Sequence, residues 1–200
     1  MFGIISSVVS GIVSCVGKIF VETGIINLVI KIFKSICEAL GIIKPDEKPE
    51  EIGDKIIQAE EEGYKLEDFT NYEEYKKFID NFKLDPEKSQ NITLEDKNRK
   101  FIEMCSIAMQ NKYPNIEYEK GFEMMSQNID YFNTNRSKQL GVLMKNDPDV
   151  FNCVAGFLSG SEKDDMKLEK GLNALILMEK ANNPKVSDEE AIENIISRRK

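Results

Sequence analysis

Residues 1–44 read MFGIISSVVSGIVSCVGKIFVETGIINLVIKIFKSICEALGIIK, and the spacing of their apolar positions decides the fold. Ile5, Val9, Ile12, Val16 and Ile19 step by four and three, the spacing of one face of an α-helix. Val8, Val13 and Phe20 widen that stripe. Ser7, Ser10, Ser14 and Lys18 lie on the opposite side, with Gly11 and Gly17 beside them. Glu22-Thr23-Gly24 breaks the pattern, and a second stripe follows at Ile25, Val29, Ile32 and Ile36, with Phe33 and Leu40 alongside. Its polar side is Asn27, Lys31, Lys34 and Glu38, and Gly41 fits a helix stop. The spacing predicts two amphipathic helices, over about 4–22 and 25–40, forming an apolar hairpin. β-Branched Ile and Val are mediocre helix formers in water, so these helices need a partner surface. Lipid, another copy of the chain and the body of the same chain all qualify.

Outward from that stretch, Lys44-Pro45-Asp46-Glu47-Lys48-Pro49-Glu50 has two prolines and no aliphatic or aromatic side chain other than theirs, and reads as a linker or helix boundary. The expectation is an apolar segment over 1–44 and an acidic all-helical body over 45–200. Strand signals are scarce there, whereas helix boundaries are frequent. Pro49 starts and Gly63 stops one helix. Asn71 caps a helix to about Phe82, and Thr93 one to about Lys112. Further helices are expected over Tyr118–Phe132, Arg136–Lys145, from Asp147 to a stop at Gly160, and over Glu162–Ala181. Ser187 and Glu190 form a capping box that opens the last. The charged stretch 60–90 reads as a helical pair that could move separately. The fold class expected is therefore all-α, an irregular multi-helix body preceded by the apolar hairpin.

Charge divides along the same line. Within 1–44, Lys18, Lys31, Lys34 and Lys44 stand against Glu22 and Glu38, a balance of +2, which leaves −10 on the rest of a chain whose net charge is −8. An acidic chain without a basic face argues against nucleic acid as partner. The sequence has no histidine, so Ser-His-Asp and Cys-His catalysis and His-ligated zinc are excluded. Cys15, Cys37, Cys105 and Cys153 form no C-x-x-C and read as reduced core thiols. No EF-hand loop, P-loop, G-x-G-x-x-G or G-x-S-x-G occurs. Neither a cofactor nor a metal site is expected, and no catalytic residue is assigned. Glu117, Glu119 and Glu123, or Asp164, Asp165 and Glu169, are the best carboxylate groups for a glycoside-hydrolase chemistry, but 35 acids in 200 residues produce such groups by chance. Tyr72, Tyr75, Phe78 and Phe82 share a helical face that either packs on a neighbour or serves recognition.

The apolar run begins at Met1 with no basic region before it, which does not fit a secretory signal. Its serines and glycines make a poor membrane span. The function expected is a non-enzymatic membrane-active or membrane-docking protein. Ile5, Val9, Ile12, Val16, Ile19, Phe20, Ile25, Val29, Ile32, Phe33 and Ile36 would touch lipid or another copy, and Lys18, Lys31 and Lys34 would meet headgroups. The alternative is a structural subunit of a phage-tail or injection-type assembly, bundling through the same helices, and a third reading is a small helical cell-wall hydrolase. The expected setting is cytoplasmic, particle-associated or peripheral to a membrane. Lysine far outnumbers arginine and Ile and Asn are plentiful, a bias that suggests an AT-rich bacterial or phage source.

Overall fold

The computed structural model describes residues 26–199, and the first expected helix, over 4–22, lies outside them. The described residues are all-helical, with ten α-helices and no strand. These are α1 (Ile26–Ala39), α2 (Pro49–Glu61), α3 (Tyr72–Asn81), α4 (Pro86–Asn91), α5 (Leu94–Lys112), α6 (Tyr118–Gln127), α7 (Thr134–Asn146), α8 (Val150–Leu158), α9 (Asp165–Asn182) and α10 (Asp188–Ile196), with one 3-10 turn at Leu66–Asp68. Local chemistry sets the boundaries. Asn71, Asp85, Thr93, Asn133, Asp164 and Ser187 each accept a hydrogen bond from a first-turn N–H of the helix they open. Ser187 and Glu190 complete a reciprocal capping box. Gly41, Gly63 and Gly160 take positive φ beyond the ends of α1, α2 and α8.

Some boundaries depart from expectation, among them the starts of α8 and α9, which come three residues later. The helix expected over Tyr118–Phe132 stops at Gln127, because the Asn128 side chain donates to the Met124 carbonyl at 3.0 Å and the chain turns. The acidic stretch near Asp85 forms α4, and it is bound to the body. Gln58 donates to Asp54 Oδ1, the Asp85 carbonyl and Ser89 Oγ, and accepts from the Asp85 N–H.

Packing forms two groups of helices. On one side α2 lies against α5, and α3 packs on both. On the other α9 packs on α8, α7 and α10, with α6 against α8. α1 contacts α7 and α5 and so joins the two groups. Its expected contact residues Val29, Ile32, Phe33 and Ile36 are 0–3% exposed within the chain's own core, and the Phe33 ring stacks on Phe122 at 4.5 Å. These four side chains are covered by the chain's own helices. The physical reason is Gly141 of α7. A Cβ there would stand 2.7 Å from Ala39 Cβ and 2.9 Å from the Ile36 carbonyl oxygen, so only glycine lets α1 lie this close. Each apolar side chain of the stripe gains roughly 1.5–3 kcal/mol by burial. The buried side chains from Val29 to Ile43 thus share one hydrophobic core with the helices beyond Pro45. Lys18 and Glu22 are the only charged residues over 1–25, so the whole net charge of −8 falls on the remainder.

Candidate functional site

Ile5, Val9, Ile12, Val16, Lys18, Ile19, Phe20 and Ile25 lie outside the described residues. Of the expected headgroup lysines, Lys31 is exposed, whereas Lys34 pairs with Glu38 at 3.4 Å along α1. The described residues contain no helix long and apolar enough to cross a membrane.

The carboxylates considered for hydrolysis separate into different places. Glu117 and Glu123 line a groove of about 500 Å³ between α6 and α8, and Glu162 joins them from the α8–α9 loop. Glu119 is exposed but does not line it. Glu117 is paired with Lys120. Glu162 Oε1 accepts from the Asp164 N–H at 2.9 Å and the Lys163 N–H at 2.8 Å. These two donors hold its carboxyl below the usual range, the opposite of what a general acid needs. Asp164 caps α9, Asp165 lies in its first turn, and Glu169 lines a separate groove. Glu117, Glu119, Asp164 and Asp165 thus stand at helix starts, whereas Glu123 and Glu169 lie further along α6 and α9. Glu162, which the sequence reading missed, has no signal in its neighbours. Only the fold brings it to α6.

The aromatic face also divides. Tyr72 and Tyr75 are buried. Phe78 and Phe82 are half-buried and pack with Phe69 and Tyr64, the Tyr64 and Phe69 rings lying 4.8 and 5.1 Å from Phe78. Cys37, Cys105 and Cys153 are free and buried. Burial and the nearby Cys37 thiol push the Cys105 thiol well up. Burial and the Asp149 carboxylate raise Cys153 to about 11. Neither thiol is a nucleophile at neutral pH. Among the described residues, no group of three or more Cys, Asp or Glu is arranged to hold a metal ion.

Two further surfaces emerge only from the fold. One is an apolar groove of about 370 Å³ over α7, α8 and α9, lined by Leu143, Val150, Ala174 and Leu177, where Met166 is 81% exposed. The other is a cavity of about 590 Å³ between the end of α1, α3 and the end of α5, where Lys44, Lys76, Lys77 and Lys112 meet. Searches against protein-family models, curated proteins and solved structures find no match to the chain.

Proposed function

We propose that the chain is a non-enzymatic membrane-docking protein that meets the bilayer through residues 1–25. The observation that supports this reading is the placement of α1. The second apolar stripe is taken up in the core by α7, while the adjoining stretch 1–25 holds one lysine, one glutamate and an apolar stripe at helical spacing. An amphipathic helix of this kind gains free energy by laying its apolar face in the headgroup region. Lys18 and the exposed Lys31 would face anionic lipid, while the acidic body stays in water.

Flotation of the full-length protein with phosphatidylcholine vesicles, with and without phosphatidylglycerol, tests it. The wild-type chain is expected to float, and Ile12→Asp/Val16→Asp, which places two carboxylates in the stripe, is expected to stay in the dense fraction. Equal behaviour of the two proteins sinks the reading.

A structural subunit of a larger assembly is the second reading, favoured by the apolar groove around Met166 and Leu177. An exposed apolar surface of this type suits a neighbouring subunit. Sedimentation of the full-length protein separates the two. Self-association that Leu177→Glu abolishes, without vesicle binding, supports the assembly.

A further inference from the structure

The cavity at the end of α1 gathers positive charge from three separated parts of an acidic chain. Lys44 comes from the α1–α2 connection, Lys76 and Lys77 from α3, and Lys112 from the last turn of α5. Their surroundings decide which ammonium groups are free. Lys76 is spent, since it donates to Asp80 and, at 3.1 Å, to Glu47. Lys112 gives one of its three N–H groups to the Leu40 carbonyl at 2.7 Å and lies over the Tyr113 ring. It thereby answers the negative end of α1 and keeps donors to spare. Lys44 and Lys77 are exposed, and among the described residues neither ammonium group has a hydrogen-bond or ion-pair partner. Of the two carboxylates that line the cavity, Asp80 is engaged by Lys76, which leaves Glu73 against Lys44, Lys77 and Lys112. The side-chain amide of Asn111 adds a neutral donor.

We infer that this cavity binds a phosphate-bearing anion, with Lys44, Lys77 and Lys112 as its charged donors. Lysine ammonium groups act as point charges with several donors each, and three around one opening suit the three outer oxygens of a phosphate. The three charged donors all lie beyond position 43, so the inference does not rest on residues 1–25. A free phosphate compound and a phospholipid headgroup share the chemistry.

Titration of the isotope-labelled full-length protein with inorganic phosphate at low ionic strength tests it by NMR. The expected result is shifts at Lys44, Lys77, Asn111 and Lys112. Lys44→Glu/Lys77→Glu is expected to weaken binding by about tenfold or more through charge reversal. Both positions are exposed, so its melting temperature should match the parent, and Lys44→Gln/Lys77→Gln serves as a neutral companion. Lys138→Gln, an exposed lysine on α7 that does not line the cavity, should bind as the parent does. Vesicle flotation assigns the source. If charge reversal also removes the preference for phosphatidylglycerol vesicles, the ligand is a headgroup; if flotation is unchanged, it is a free phosphate compound. Absence of shifts, or equal phosphate affinity in the parent and the charge-reversed protein, overturns the inference. Ile12→Asp/Val16→Asp retains phosphate binding, so failure of membrane docking and failure of this site are told apart.

Discussion

Removing the Asp54 carboxylate leaves the Lys97 ammonium, 2.7 Å away and largely shielded from water, with the Ser89 carbonyl but no counter-charge, and takes a partner from the buried Gln58 amide. Asp54→Ala is expected to cost about 3 kcal/mol, because a buried charge left without its partner is dearer than the pair is favourable. Urea denaturation measures the loss. Thiols make a second residue-scale prediction. With Cys15 replaced by Ser, the folded protein should not react with a disulfide reagent at neutral pH, and three thiols should appear only in denaturant. A third concerns acid. The Arg198 guanidinium, 2.8 Å from Asp130, holds that carboxyl below the usual range. Burial pushes Asp149 up, but hydrogen bonds from Cys153, Asn152 and Lys170 outweigh it and leave it lowered. A carboxyl whose folded pKa is depressed stabilises the fold fully above its unfolded value of about 4, and that contribution is lost as pH falls through the folded value. Both groups are well hydrated, so the melting temperature should decline gently below about pH 4, and Arg198→Gln should flatten the decline.

Helix crossings rest on missing side chains. A Cβ at position 53 would stand 1.8 Å from the Lys97 carbonyl oxygen, which is backbone and cannot swing aside. Gly53→Ala should therefore force α2 from α5 and cost about 3 kcal/mol, readable as a fall in the thermal midpoint. Helix ends, by contrast, were legible in the chain. Asn71, Thr93 and Ser187 cap where their spacing placed them, since a cap is a hydrogen bond spanning three residues. The partner of α1 was not legible. An Ile/Val stripe presents the same surface to lipid, to a second copy or to α7, and only Gly141, a hundred positions on, chose among them.

At the scale of the whole molecule, the sequence showed a charge division that the fold redraws. The +2 expected on residues 1–44 came from Lys31, Lys34 and Lys44 as much as from Lys18, and the structure distributes those three among an exposed face, an ion pair and a cavity. The lysine cavity was invisible for the same reason as Glu162: its members are tens of residues apart, and spacing reports only what lies within a few turns.

The closeness of α1 to α7 also has a meaning in time. The two helices are separated by about a hundred residues, and a ribosome adding roughly 5–20 residues per second takes on the order of ten seconds to cover that distance. Throughout it the face of α1 that α7 covers emerges without its mate, although α5 and Phe122, the ring partner of Phe33, arrive earlier. A nascent chain halted before Thr134 should accordingly crosslink to a chaperone through α1, and one released after Asn146 should not.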